Sequence, residues 1–262
     1  DYYVRAINLW SEESLPSSND TLETTYVVRY SKDIDVVEHR EVLDNEQLFL
    51  LSEVKPRIFI ANNGLDSMED VALEVNIKNE GNNIVFSDTL RIAVLRAYEG
   101  VELTSIRSFV ATEPGEFTMQ TRLLNTDDFS LNNSLSTTFE VVLRYDAEAS
   151  MARLPTEDTA LRILTVYQPQ IEIANNGALD LTGVLIQCRV SVEGTEIYSD
   201  LQTVQLNATE SATVLFDSTL SYHIKSADAL AEFICLYSQD EVRENDTLRV
   251  NFKFIESLGI DE

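Results

Sequence analysis

Apolar and polar residues alternate along most of this chain, and a helical period is almost absent. In Val71-Ala72-Leu73-Glu74-Val75-Asn76-Ile77, the residues Val71, Leu73, Val75 and Ile77 share one face, with Glu74 and Asn76 opposite. Successive side chains of a strand point to opposite faces, so this period of two predicts a half-buried strand. The same reading predicts strands over 57–60, 84–86, 91–95, 103–110, 117–124 and 138–144. It does so again over 184–190, 213–216, 232–237 and 249–255. Short strands broken by turn signals every ~8–12 residues predict an all-β chain built of β-sandwiches.

The pattern repeats at a fixed spacing. Ile60-Ala61-Asn62-Asn63-Gly64 returns as Ile173-Ala174-Asn175-Asn176-Gly177, 113 positions later, and Pro56, Val71 and Glu80-Gly81 match Pro169, Val184 and Glu193-Gly194. A third phrase occurs three times, as Asn19-Asp20-Thr21-Leu22, Asn132-Asn133-Ser134-Leu135 and Asn245-Asp246-Thr247-Leu248. A fixed period marks a modular array. Backbone chemistry accounts for the recurring residues. Asn-Asn-Gly tolerates positive φ at a strand end, Pro56 and Pro169 suit strand starts, and the Asn-Asp-Thr phrase suits a turn before the last strand. The period divides the chain into the closing strands of one unit (1–32), a full unit (33–146), a second full unit (147–257) and the start of a linker (258–262). On this reading the chain is a piece of a longer polypeptide, with 31–33 and 146–150 as short linkers.

Composition narrows the partners. A hydrophobic content of 44% supports real cores. The net charge of -26, from 45 acidic and 19 basic side chains, repels nucleic acid and anionic membranes. No apolar run approaches the ~20 residues of a bilayer-spanning helix. The acids read first as a solvated surface. The sharper reading is calcium, held by Asp127-Asp128 and Asp240-Glu241 at matching positions just before the Asn phrase, although they fit no EF-hand spacing. No other cofactor or metal is expected.

Candidate chemistry is sparse. His39 and His223 lack Cys, His or Asp partners at ligand spacing and are expected as exposed strand or loop residues. There is no Gly-x-Ser-x-Gly and no glycine-rich phosphate loop, so no catalytic or cofactor-binding residue is named and the chain is not expected to be an enzyme. Tyr2, Tyr3 and Trp10 form an aromatic cluster that suits a core or a sugar platform. Cys188 falls on the inward face of a strand and Cys235 on a late strand of the same unit. The two strands could face each other across a sandwich and carry a disulfide. Equally, Ile234 and Leu236 could be the inward pair, leaving Cys235 outside.

A strand ending in Asn-x-Gly, the strand 71–77, a glycine turn, Gly115-Glu116-Phe117 and an acidic loop leading to Asn-Asn or Asn-Asp together resemble CARDB-like modules. These are immunoglobulin-like domains of bacterial surface and secreted proteins. The second unit departs from the pattern by lacking a Gly at the step matching Gly115. The resemblance implies tandem sandwiches of about seven strands, acting as non-catalytic spacers or adhesion modules of an extracellular or cell-surface protein. It leaves open a ligand-binding accessory module, for polysaccharide or protein, attached to a secreted enzyme. Asp-Ser/Thr triplets resemble the O-glycosylation sequon of Bacteroidota and make Thr21, Ser67, Thr89, Thr159, Ser218 and Thr247 candidate sites, mostly in predicted turns. Residues 256–262 resemble the spacer before a type IX secretion sorting domain. Implied partners are neighbouring domains of the same polypeptide, secretion machinery or a surface ligand, in a gliding or adhesion protein.

Overall fold

A computed structural model describes residues 29–256 in full. Ahead of them it describes the backbone of two strands, β1 (Tyr2–Ile7) and β2 (Thr21–Tyr26), which pair antiparallel from Tyr2↔Tyr26 to Ile7↔Thr21. Trp10 and the side chains of Tyr2, Tyr3 and Thr21 lie outside the described residues. The chain divides into two compact units, 1–140 and 141–262.

The first unit continues through β3 (Ile34–His39), β4 (Glu46–Phe49), β5 (Glu53–Val54), β6 (Arg57–Asn62) and β7 (Met68–Asn79). Next come β8 (Ile84–Leu95), β9 (Gly100–Thr104), β10 (Phe109–Val110), β11 (Gly115–Leu123) and β12 (Ser134–Val142). They form a five-stranded sheet in the order β4-β12-β11-β7-β8, a three-stranded sheet β3-β6-β9 and a short β10-β5 pair. The alternation read from the sequence sets the inward face. Ile58 and Ile60 of β6, with Leu73, Val75 and Ile77 of β7, are fully buried. Phe86, Phe109, Phe117 and Phe139 fill the space beside them, with the Phe117 and Phe139 rings stacked at 5.6 Å.

The second unit comprises β13 (Ala147–Leu154), β14 (Ala160–Arg162), β15 (Gln170–Asn175), β16 (Leu181–Val192), β17 (Thr195–Leu206), β18 (Ser211–Leu215), β19 (Ala227–Leu236) and β20 (Thr247–Ile255). A three-stranded sheet, β13-β15-β18, meets a five-stranded one, β14-β20-β19-β16-β17. Residues from both sheets share one core, including Ile171, Ile173, Ile186, Cys188, Phe233 and Phe252. Each buried Ile or Phe among them contributes ~1.5–3 kcal/mol. This is an all-β sandwich of seven main strands, with β14 added as a short parallel edge beside β20.

Several sequence expectations need correction. The stretches 84–86 and 91–95 belong to one strand, β8, whereas 103–110 is split between β9 and β10. Residues 147–150, expected as linker, open strand β13, and Asp146 before them is buried. His39 is also buried, 5% exposed, rather than on the surface. A bulge causes this. Val36 pairs with Ile60 and Glu38 with Phe59, so Val37 is an extra residue that reverses the alternation and turns His39 inward with Ile34 and Val36. His223 is exposed, as expected.

Candidate functional site

The residues that recur at the 113-residue spacing meet at one place in each unit, where they close the entry of the sandwich. In the first unit Asp127 follows β11 and faces the start of β3. Its Oδ2 accepts from Ile34 N at 2.9 Å, and its Oδ1 accepts from Asn133 Nδ2 at 2.9 Å and Phe129 N at 3.3 Å. Asp128 accepts from Lys32 N at 2.9 Å and returns its own N–H to Lys32 O. Asn132 donates to Asp33 Oδ1 at 2.8 Å.

The second unit rebuilds this arrangement. Asp240 accepts from Ala147 N at 2.6 Å and from Val242 N at 2.8 Å. Glu241 accepts from Arg144 N at 2.7 Å and donates its N–H to Tyr145 O. Asn245 donates to Asp146 Oδ1 at 2.8 Å. The four carboxylates read as calcium candidates therefore spend oxygens on backbone N–H groups of the segment entering their own sandwich. Among the described residues no group of three or more His, Cys, Asp or Glu is placed to hold a metal.

The Asn-Asn-Gly motif forms the other side of this clamp. Asn62 Nδ2 donates to Asp66 O and Leu95 O, while its Oδ1 accepts from Gly64 N at 3.0 Å. Asn175 does the same with Leu179 O, Asn207 O and Gly177 N. The glycines are not there for positive φ, as the sequence suggested; neither falls among the left-handed residues. They are there for close approach. A methyl on Gly64 would lie 2.6 Å from Ser31 O and 2.8 Å from Asp33 N, and one on Gly177 2.6 Å from Arg144 O and 2.8 Å from Tyr145 Cα.

Among several charge differences between the two clamps, one adds a buried carboxyl. Asn133 of the first unit becomes Asp246 of the second, 113 positions on. Burial, then the nearby Asp240 carboxylate, pushes the Asp246 carboxyl up to about 6, although Arg243 Nη1 donates to it at 3.3 Å. Burial also raises Asp146 above the ordinary carboxylate range.

Two further polar features escaped the sequence reading. His39 lies between Thr137 Oγ1 at 2.7 Å and Thr121 Oγ1 at 2.8 Å, and burial lowers its pKa to about 4. The second unit has Ala152 at the register position of His39 and Phe233 at that of Thr121. The polar trio is thus a local variation on a core that can be filled without it. The other feature is a tie from the segment just past an edge strand, β9 in the first unit and β18 in the second. The Ser105 hydroxyl donates to Asp88 on β8, and Ser218 N donates to Asp200 on β17 at 2.8 Å.

Cys188 and Cys235 are free thiols, both buried. They do not face each other across the sandwich as the antibody-like arrangement required. They lie on neighbouring strands of one sheet, with Cys188 opposite Phe233 and Cys235 opposite Ile186. Cys235 points inward despite its apolar neighbours, and burial pushes its thiol up to about 12. The candidate glycosylation residues are scattered. Ser67, Thr89 and Ser218 are exposed, with Thr89 in the middle of β8, while Thr159 and Thr247 are half-buried.

No family model matches the chain, and no curated protein matches it. Solved structures similar to it include the CARDB domain of the PF1109 protein from Pyrococcus furiosus, crystallised in complex with di-metal ions. That match has 14% identity and a TM-score of 0.35, and covers 45% of this chain and 95% of that domain. The solution NMR structure of the same domain matches at 16% identity and a TM-score of 0.35, covering 44% of this chain and 99% of that one. The sandwich assignment for this chain rests on its own sheets and cores. Among the described residues no helix is long and apolar enough to cross a membrane.

Proposed function

We propose that this chain is a non-catalytic structural module of a longer extracellular or cell-surface protein, in which repeated sandwiches space and present neighbouring regions. One observation carries this reading. The polar residues that recur between the units, Asn62/Asn175, Asp127/Asp240 and Asn132/Asn245, are all turned onto the backbone or onto each other to close a sandwich. A chain whose recurring polar chemistry is consumed in building the same closure twice is organised for repetition of a fold. The acidic surface, at -26 overall, suits a module that must stay dispersed in an exposed setting.

On this reading the protein belongs to a Bacteroidota-type surface or gliding system, exported by type IX secretion and O-glycosylated at exposed triplets such as Ser67, Thr89 and Ser218. The test is the intact mass of the protein from its native source, together with its accessibility to protease added to whole cells. Hexose-type mass and removal by external protease are expected. A bare mass together with complete protection in intact cells would overturn the surface assignment.

A further inference from the structure

The two units offer an internal control, because one fold is built twice with different outer faces. On the outward side of the first unit's five-stranded sheet, Glu74 pairs in register with Thr89 on β8 and Arg122 on β11, and Arg122 bonds Glu74 at 3.2 Å. The matching position on β16 is Gln187, and its register partners are Leu201 on β17 and Ile234 on β19. One row along, Ala72 of the first unit is replaced by Leu185, whose partner on β19 is Leu236. Leu185, Leu201 and Leu236 are 42%, 51% and 46% exposed. The fold does not demand most of these residues: the first unit forms the same sheet with Ala72, Thr89 and Arg122 at the positions of Leu185, Leu201 and Ile234, and keeps a leucine, Leu124, only at that of Leu236.

Charge marks the same face. The chain as a whole is strongly acidic, yet the acids beside this stripe are matched by bases. Arg189 bonds Glu196 at 3.1 Å, Arg249 bonds Glu232 at 2.9 Å and Lys253 bonds Asp228 at 3.4 Å. Where the face meets the β16–β17 turn it is dished into a groove of about 480 Å³, lined by Leu230, Asn251 and Lys253 and by three acids, of which Asp228 pairs with Lys253, Glu193 pairs with Lys225 at 3.4 Å and Asp158 lies at the rim. Four strands about 4.8 Å apart and about ten residues long present roughly 600 Å², so two such faces bury more than the ~1,000 Å² total of a specific contact.

We propose that two copies of this chain associate through the outward face of the second unit's five-stranded sheet, the Leu185–Leu201–Ile234–Leu236 stripe of one packing on that of the other. A second copy is the occupant that the charges favour. Two acidic chains repel wherever their free carboxylates face each other, and the strand acids beside this stripe, Glu196, Glu232 and Asp228, are each paired with a base, which leaves the stripe far closer to neutral than the chain as a whole. An apolar stripe is also self-complementary under a two-fold axis, as an isologous dimer requires.

The test is sedimentation equilibrium of the full chain over a wide concentration range at low and high salt. A monomer–dimer equilibrium is expected, tightening as salt screens the repulsion between like-charged copies. Grafting the first unit's residues, as Gln187→Glu, Leu201→Thr and Ile234→Arg together, should weaken the dimer at least tenfold with an unchanged melting temperature. Leu236→Gln alone should weaken it in the same direction. A chain that stays monomeric throughout overturns the proposal. So does a dimer that is indifferent to both variants, or one that dissociates as salt rises.

Discussion

Asn245 donates its side-chain amide to Asp146 Oδ1 at 2.8 Å, across 99 residues of sequence. The bond joins the turn before the last strand of the second unit to the residue before its first. Asp146 is only 4% exposed, so water cannot easily replace the lost donor. Asn245→Ala should therefore cost the second unit about 1–3 kcal/mol, read as faster hydrogen exchange in β13 and β20. Asp127→Ala, which orphans Ile34 N, should have a comparable effect on the first unit. That loss should be the same in chelator as in added calcium, because the carboxylate serves backbone donors. Melting curves in the two buffers check this, and a calcium-dependent loss would contradict it.

Gly177 offers a sharper test of the close approach. Its α-carbon sits against the backbone of Arg144, Tyr145 and Asp146, and backbone atoms cannot swing aside as a flexible side chain does. Gly177→Ala should destabilise the second unit by ~1–3 kcal/mol, the usual cost of overpacking. Gly183→Ala makes a useful contrast. Its φ of 71° is strained for alanine, but no atom lies within 4 Å of the added methyl. A loss at Gly177 that disappears when Arg144 or Asp146 is changed would show that side chains, and not the backbone, set the clash.

Much of this architecture was legible in the sequence, and the reasons differ by element. Strands β7 and β16 declared themselves because one face is buried and the other wet, which writes a period of two into the residues. The 113-residue repeat aligned Asn62 with Asn175 and Asp127 with Asp240 before any contact was known. What the sequence hid was parity and long-range pairing. The bulge at Val37 turns His39 inward without leaving a turn signal. The roles of Asp127 and Asp240 depend on backbone N–H groups more than 90 residues away. The glycine of Asn-Asn-Gly reads as a conformational residue in isolation, and its steric role is visible only once the 31–33 backbone lies over it. The outer stripe on β16, β17 and β19 looks like ordinary alternation until the registers set Leu185, Leu201 and Ile234 beside Ala72, Thr89 and Arg122 of the first unit.

The cysteines give a further prediction. Both thiols are buried in the core of the second unit, and burial raises the pKa of each. Thiolate is the reactive form, so neither should react with a thiol reagent in the folded protein, and both should react once the unit unfolds. Purified material should show two reactive thiols per chain in denaturant, with or without prior reduction. A pair that appears only after reduction would mean a bridge between β16 and β19 and would contradict the free-thiol structure.

The last prediction sets the two units against each other in acid. His39 is held neutral down to about pH 4 by burial, whereas an unfolded chain takes up that proton near pH ~6.5. Between those values the unfolded state binds more protons, so the first unit loses stability as pH falls from 6.5 to 4. The full difference corresponds to roughly 3 kcal/mol. Asp246 works in the opposite sense. Its native carboxyl titrates at about 6, above the ~3.9 of an unfolded chain, so the native state binds more protons between those values. The second unit gains stability as pH falls through 6, and loses that gain as pH rises again. Hydrogen exchange at pH 7 and pH 5 resolves the units separately. Protection should fall in β3 and β6 and rise in β13 and β20. His39→Gln should flatten the first response. Asp246→Asn, which copies Asn133, should flatten the second and raise stability at neutral pH. A second unit whose acid response survives Asp246→Asn would place the titrating group at the neighbouring Asp146, which burial also raises.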